Sequence, residues 1–387
     1  MDTICIGMIG AGRATQLHME GLKKVSISGL KLRFKTIVAR RESQLLQAQQ
    51  AYGFENISTN IDDILQDEEI DIIDICTPAY THENIIFRAI NANKHIICEK
   101  PFVGYFGDEN GMLTSKTEMY DHVINILNKI SSELENKSLK FMYAENFIYA
   151  PAIEKAAEII RHKKSKLLYM KGEESLKGSS SKVAGEWNKT GGGSLIRVGV
   201  HPLTAILWLK QQEAITHNKI IKVESILADV ETILPTLSDY ERRHIKANPQ
   251  DVEDMATLIL TFSDKSRAVI MATDTCLGGS KNYVELYCND ATLNCKLTMN
   301  DLMETYFLDE ENINDVYLSE MLPSKIGWNK PFIADEIIRG YVGQMQDFVE
   351  AVYFNRQPQS DFRLAYETTQ IVYAAYKSAE LGRRVYL

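Results

Sequence analysis

The first 145 residues alternate short apolar runs with helix-period segments, and this alternation limits the chain to a parallel sheet with crossover helices. Candidate strands are Thr3 to Met8, Leu32 to Ala39, Asp71 to Cys76, His95 to Cys98 and Lys140 to Ala144. Helical spacing runs through Ala14 to Lys24, Glu42 to Tyr52, Thr81 to Ala92 and Lys116 to Glu135. After Pro151, which can open a helix at its first turn, the pattern changes. Runs rich in β-branched and aromatic residues follow: Lys166 to Glu173, Ile220 to Thr232, Met255 to Phe262, Arg267 to Thr275, Asn282 to Cys288, Ala291 to Leu297 and Met303 to Leu308. Turn signals such as Ser263-Asp264 and Asn289-Asp290 bound them, which predicts a mostly antiparallel sheet. Amphipathic helices from Phe332 to Leu381 are expected to pack on this sheet or return to the first domain. With 387 residues, more than one core usually serves, two domains are expected: 1–145 and 146–387.

Composition narrows the function. A net charge of -9 argues against a nucleic-acid partner, because phosphate-backbone affinity rests on clustered Lys and Arg. The runs Arg40-Arg41 and Arg161 to Lys164 are too short to reverse that. Six cysteines, at 5, 76, 98, 276, 288 and 295, show no paired metal spacing; they read as reduced core residues of a cytoplasmic protein, with no metal site expected. The first apolar run, Ile4 to Ile9, lacks a basic leader and ends in glycines, so it reads as a strand and neither a signal peptide nor a membrane span.

Gly10-Ala11-Gly12-Arg13-Ala14-Thr15 follows that strand and opens a helix, the context of a dinucleotide fingerprint. Glycines at the first two positions let backbone amides approach a pyrophosphate; Thr15 takes the third place, where Gly or Ala is usual. A bland strand-to-helix turn is the competing reading. At the end of the second strand, Arg40 and Arg41 stand where an NAD site places a carboxylate, which points to NADP over NAD. The alternative is a solvated start to the next helix, with Glu42 rotating in. Further on come Thr77-Pro78, His82 and the turn Glu99-Lys100-Pro101, where proline stops a strand and leaves Lys100 at its mouth. An open α/β sheet presents residues there to a bound nucleotide, so Lys100 is expected to handle a proton while a nicotinamide handles a hydride.

These motifs, with Gly191-Gly192-Gly193-Ser194-Leu195-Ile196-Arg197-Val198-Gly199-Val200-His201 and Glu253-Asp254, resemble the Gfo/Idh/MocA family over nearly the whole chain. The resemblance implies a Rossmann domain, a C-terminal α/β domain whose open sheet forms a homodimer or homotetramer, and an oxidoreductase acting on a sugar-type small molecule. It implies that Gly10, Gly12, Arg13, Ala14, Arg40, Arg41, Thr77, Pro78, His82, Glu99 and Lys100 hold the cofactor, and that Lys100 and His201 face the substrate carbon. A lysine beside a positive nicotinamide ring has its ammonium form disfavoured, which suits a group that accepts a hydroxyl proton. His201 could do the same or position the substrate oxygen; a satisfied core histidine is the rival reading.

One position departs from the family pattern: Arg197 stands where an aspartate is common, four residues before His201. On a regular helix both would share one face, and the guanidinium could bind a substrate carboxylate or phosphate in bidentate fashion. Equally, Arg197 could mark a member whose activity has drifted. Asn146, Tyr149 and Trp187 are expected to line the substrate pocket, with a core tryptophan as the alternative for Trp187. The glycine-rich stretch Val103 to Ser115, including Asp108-Glu109, reads as a lid or a surface excursion. Two alternatives to a plain dehydrogenase stay open: a glycoside-cleaving enzyme that oxidises transiently with a tightly held cofactor, and a nucleotide-sensing regulator.

Overall fold

The computed structural model describes the chain apart from residues 1, 109, 299–302, 304, 312–315, 317, 319–323 and 332–333. Six parallel strands form the first sheet: β1 (Asp2–Ile9), β2 (Leu30–Val38), β3 (Asn56–Ser58), β4 (Ile72–Ile75), β5 (His95–Glu99) and β6 (Phe141–Ala144). Their order is β3-β2-β1-β4-β5-β6. The helices between them are α1 (Arg13–Leu22), α2 (Glu42–Tyr52), α3 (Asp62–Leu65), α4 (His82–Asn91) and α5 (Lys116–Glu135). β4 and β6 are buried completely, so they read as apolar runs rather than alternating ones, broken only by Asp74 in β4. The strand order reverses between β1 and β4, and at such a reversal a crevice opens outside the carboxyl ends of the strands. β3 escaped sequence reading because its three residues carry no apolar run.

The second sheet has seven strands in the order β12-β11-β7-β10-β9-β8-β15. They are β7 (Leu167–Ser175), β8 (Val223–Glu231), β9 (Met255–Phe262), β10 (Arg267–Thr273), β11 (Lys281–Cys288), β12 (Thr292–Lys296) and β15 (Val385–Tyr386). All its described pairings are antiparallel except β7 with β10. A small hairpin, β13 (Thr305–Phe307) and β14 (Gly327–Asn329), covers part of the stretch expected from Met303 to Leu308; Glu304 lies outside the described residues.

Helices α6 (Pro151–Lys163) and α8 (Val200–Thr216) flank this sheet, the short α7 (Trp187–Thr190) packs on the turn at Ala79–Thr81, and α8 is buried nearly all round between the sheet, α6 and a late helix. The chain closes with α9 (Asp335–Ile338), α10 (Tyr341–Tyr353) and α11 (Phe362–Leu381); Phe332, the expected start of this region, is outside the described residues. Helix α10 packs on α1, and α11 packs on both α5 and β8, so the end of the chain returns to the first sheet. Among the described residues no helix is long and apolar enough to cross a membrane.

Candidate active site at the mouth of the parallel sheet

The crevice begins where β1 turns into α1. Gly10 has φ +117°, and a Cβ there would lie 2.3 Å from the Cys76 carbonyl oxygen, so only glycine lets β1 and β4 end this close together. Gly12 is different: a Cβ would meet nothing within 4 Å. The N-terminus of α1 has no side-chain cap and no acidic residue in its first turn. Its orphan amides therefore point into open space beside Gly12, an arrangement that fits a pyrophosphate. Thr15, at the third fingerprint position, is buried with Oγ1 unpartnered among the described residues, so its side chain belongs to the helix–sheet packing. Arg40 and Arg41 are exposed just beyond the end of β2, and Arg13 is exposed at the start of α1 with Nη1 donating to Gln16 Oε1 at 2.7 Å.

Beneath the crevice sits an ion network that sequence reading missed. His18 Nδ1 lies 2.9 and 3.0 Å from the two oxygens of Asp74, and its Nε2 lies 3.0 Å from Glu99 Oε1, all three side chains being buried. Burial works to lower the His18 pKa, but the charge and hydrogen bond of Asp74, with the Cys76 sulfur, carry it well above the usual histidine value. Burial likewise works to raise Glu99, and the His18 hydrogen bond and charge bring it below the usual glutamate value. The imidazolium thus clamps the end of β4 to the end of β5. His18, Asp74 and Cys76 also have ligand atoms close enough to hold a metal, yet burial pushes the Cys76 thiol up to about 12 and the shared proton already satisfies the histidine.

Clamping Glu99 fixes the next residue, Lys100, whose Nζ donates to the Arg197 carbonyl oxygen at 3.0 Å. The Lys100–Pro101 peptide is cis. His201 opens the first turn of α8, where its Nδ1 lies 2.7 Å from Glu145 Oε1 and its ring stacks on Phe147 with centroids 4.7 Å apart. That leaves Nε2 as the ring nitrogen with no partner among the described residues. Because Arg197 is only four residues before His201, the bond to its carbonyl brings Lys100 to the same end of α8.

The triple glycine makes this approach possible. A Cβ on Gly193 would stand 1.8 Å from the Glu253 carbonyl oxygen. Glu253 is the cap: its carboxylate accepts from the amides of Gly193 (2.7 Å) and Leu195 (2.9 Å) and from the Tyr376 hydroxyl (2.9 Å). Burial raises its pKa against those bonds.

Several expected roles need correction. The guanidinium of Arg197 is drawn to Asp274: Nη1 is ion-paired to Oδ2 at 2.7 Å. The cause is a π-turn over Leu195–Gly199, whose wider spacing breaks the four-residue register assumed for a regular helix. Tyr149 is buried with its hydroxyl donating to Asp347 Oδ2 and accepting from the Ser360 amide, so it ties α10 to the core. Asn146 spends its amide on the Arg339 carbonyl at 2.7 Å. Trp187 is 2% exposed, donates Nε1 to the Tyr105 carbonyl and has Lys116 Nζ 3.2 Å from its ring centroid; it is the core tryptophan.

His82 is buried too, with Nε2 2.8 Å from Thr77 O and Nδ1 3.0 Å from Pro101 O, stitching the Thr77-Pro78 turn to the Lys100 turn. Val103 to Tyr105 form a buried strap, with the Tyr105 amide donating to the Tyr373 hydroxyl, while Asp108 to Met112 make an exposed turn; Glu109 lies outside the described residues.

Comparison with known proteins agrees with this anatomy. A model of the Gfo/Idh/MocA oxidoreductase family, NAD-binding Rossmann fold, matches residues 4–125, and the model of that family's C-terminal domain matches residues 166–294. Levoglucosan dehydrogenase of Pseudarthrobacter phenanthrenivorans is 23% identical over 399 aligned residues, covering 98% of this chain and 97% of that one. Myo-inositol 2-dehydrogenase of Thermotoga maritima is 29% identical over 108 residues, 28% of this chain and 31% of that one. In fold, the crystal structure of GenD2 from gentamicin A biosynthesis, in complex with NAD, superposes with a TM-score of 0.81 at 20% identity, covering 100% of this chain and 97% of that one.

Proposed function

Since this chain belongs to the Gfo/Idh/MocA oxidoreductase family, with its NAD-binding Rossmann fold, we propose that it moves a hydride between a nicotinamide cofactor and a hydroxyl or carbonyl carbon of a sugar or cyclitol. The observation that carries this reading is the convergence of Lys100 and His201 at the mouth of the parallel sheet, beside the uncapped start of α1. A bound nicotinamide supplies the hydride acceptor or donor. In the oxidation direction the substrate O–H bond breaks and its proton passes to Lys100 Nζ; in reduction Nζ returns it. His201, held through Nδ1 by Glu145, turns Nε2 toward the substrate oxygen. Relatives named for levoglucosan and myo-inositol support a neutral polyhydroxy substrate, and the pairing of Arg197 with Asp274 removes the argument for an acidic one.

Arg40 favours NADP over NAD, since a guanidinium there would complement a 2′-phosphate. A cytoplasmic homodimer or homotetramer completes the reading, joined through the outer face of the second sheet, where Tyr169 and Tyr287 stack with centroids 5.8 Å apart. The test is fluorescence titration with NADH and NADPH, followed by turnover assays on levoglucosan, myo-inositol and a panel of aldoses. Saturable nucleotide binding with cofactor reduction on at least one polyol is expected; binding without turnover on any of them would point to the regulator instead.

A further inference from the structure

Glu174 is a buried carboxyl that the account so far leaves unused. It lies near the end of β7, opposite Ala272 on β10 and Asn282 on β11. Strand alternation sends its neighbour Glu173 to the other face, where it pairs with Lys281 at 2.8 Å. The face that Glu174 shares with Gly172 is the one covered by α8: a Cβ on Gly172 would come within 2.9 Å of Pro202 Cβ, and a Cβ on Gly199 within 2.8 Å of Ala272 Cβ. Glu174 therefore stands against the first turn of α8, on the side of His201. It is 8% exposed, and its Oε2 has no hydrogen-bond partner among the described residues.

The charges whose fields reach it come from four separate elements. They are His201 at the start of α8, Lys100 after β5, Arg339 after α9, and the like-charged Glu145 after β6. Burial raises the Glu174 pKa, with the three cations opposing and Glu145 adding to it. A buried carboxyl oxygen without a partner is costly, and Asp74 and Glu253 show how the fold pairs its other buried acids, with His18 and with three donors.

The turn before His201, meanwhile, brings no carboxylate to the site, because it carries Arg197 and that residue is tied to Asp274. We propose that Glu174 is a second positioning carboxyl of the proton-transfer step beside Glu145, acting from the second sheet on Lys100 and His201 where the helix side supplies none. This rests on the dehydrogenase reading above. A charge on Glu174 acts on the proton that Lys100 and His201 exchange with the substrate, so removing it changes the pH dependence of turnover.

Two measurements test this. Infrared difference spectra of the unliganded wild type against Glu174→Gln, taken across a pH series, read the carboxyl directly and need no substrate. A protonated carboxyl band that persists above the ordinary glutamate range, and is missing from the variant, is expected; titration at the ordinary value overturns the proposal. In turnover, removing one negative charge beside the lysine moves the pH profile of kcat/KM to lower pH by about one pH unit, and Glu174→Asp restores it. A Glu174→Gln profile that coincides with wild type, while Lys100→Met is inactive, sinks the Glu174 proposal alone. An active Lys100→Met sinks the dehydrogenase mechanism, leaving the infrared result to judge whether Glu174 is held as described.

Discussion

A histidine flanked by ordinary helix residues, His18 turns out to hold the site from below. It stands between Asp74 and Glu99, and replacing it leaves both buried carboxylates without their cation. His18→Gln is expected to lose about 3–5 kcal/mol of stability by urea unfolding, the usual cost of breaking a buried ion pair from one side. The pH dependence follows from the two signs. The His18 pKa is raised when folded, so its contribution is complete below its ordinary value of 6.5 and fades as pH climbs through the folded value. The Glu99 pKa is lowered, so its contribution is present above its ordinary value of 4.5 and fades as pH falls through the folded value. Both contributions are complete between 4.5 and 6.5, so the gap between wild type and variant is widest there and narrows on either side; a gap that ignores pH contradicts the network.

At the same scale, Arg40→Asp should weaken NADPH binding about tenfold more than NADH binding, and equal losses would dispose of the 2′-phosphate assignment. The sequence does hint at the network, because Asp74 interrupts an otherwise isoleucine strand and a buried acid demands a partner. It does not say which partner, since His18 lies 56 residues away and only the folded sheet brings them together.

Element by element, the parallel strands and their helices were legible because apolar runs and helical spacing are local signals. The second sheet's long strands were equally so. What hid were the elements whose form depends on distant partners: β3 and β15, of three and two residues, exist by pairing with neighbours, and the π-turn at Leu195–Gly199 is imposed by the Glu253 cap and the glycine corner. That corner and the α1 cradle give paired predictions. Gly193→Ala drives a Cβ against the Glu253 backbone and disturbs the cap, which should cost about 3 kcal/mol and lower the melting temperature. Gly12→Ala meets no atom within 4 Å, so the protein should melt as wild type while losing about tenfold in nucleotide affinity, because the methyl group enters the cradle. Equal melting temperatures for both variants would contradict this division between a packing glycine and a binding one.

Across the described residues, the large apolar core runs from Ile4 and Ile75 through Phe147 and Leu203 to Tyr376, without a break between the two sheets, and a small separate cluster holds Leu176, Val198 and Ala272. Helix α11 joins them, packing on α5 of the first and β8 of the second. With a core shared across residue 145, calorimetry is expected to show one cooperative transition; two separated transitions would mean independent folding. This shared core is also what holds Lys100, from the first sheet, against the start of α8, from the second. The measurement closest to the central claim is single-turnover hydride transfer by Lys100→Met at saturating cofactor. With the cofactor site filled, the rate should fall by about 10²–10⁴, the range for losing a general acid or base. A rate equal to wild type would contradict the assignment of the proton to Lys100.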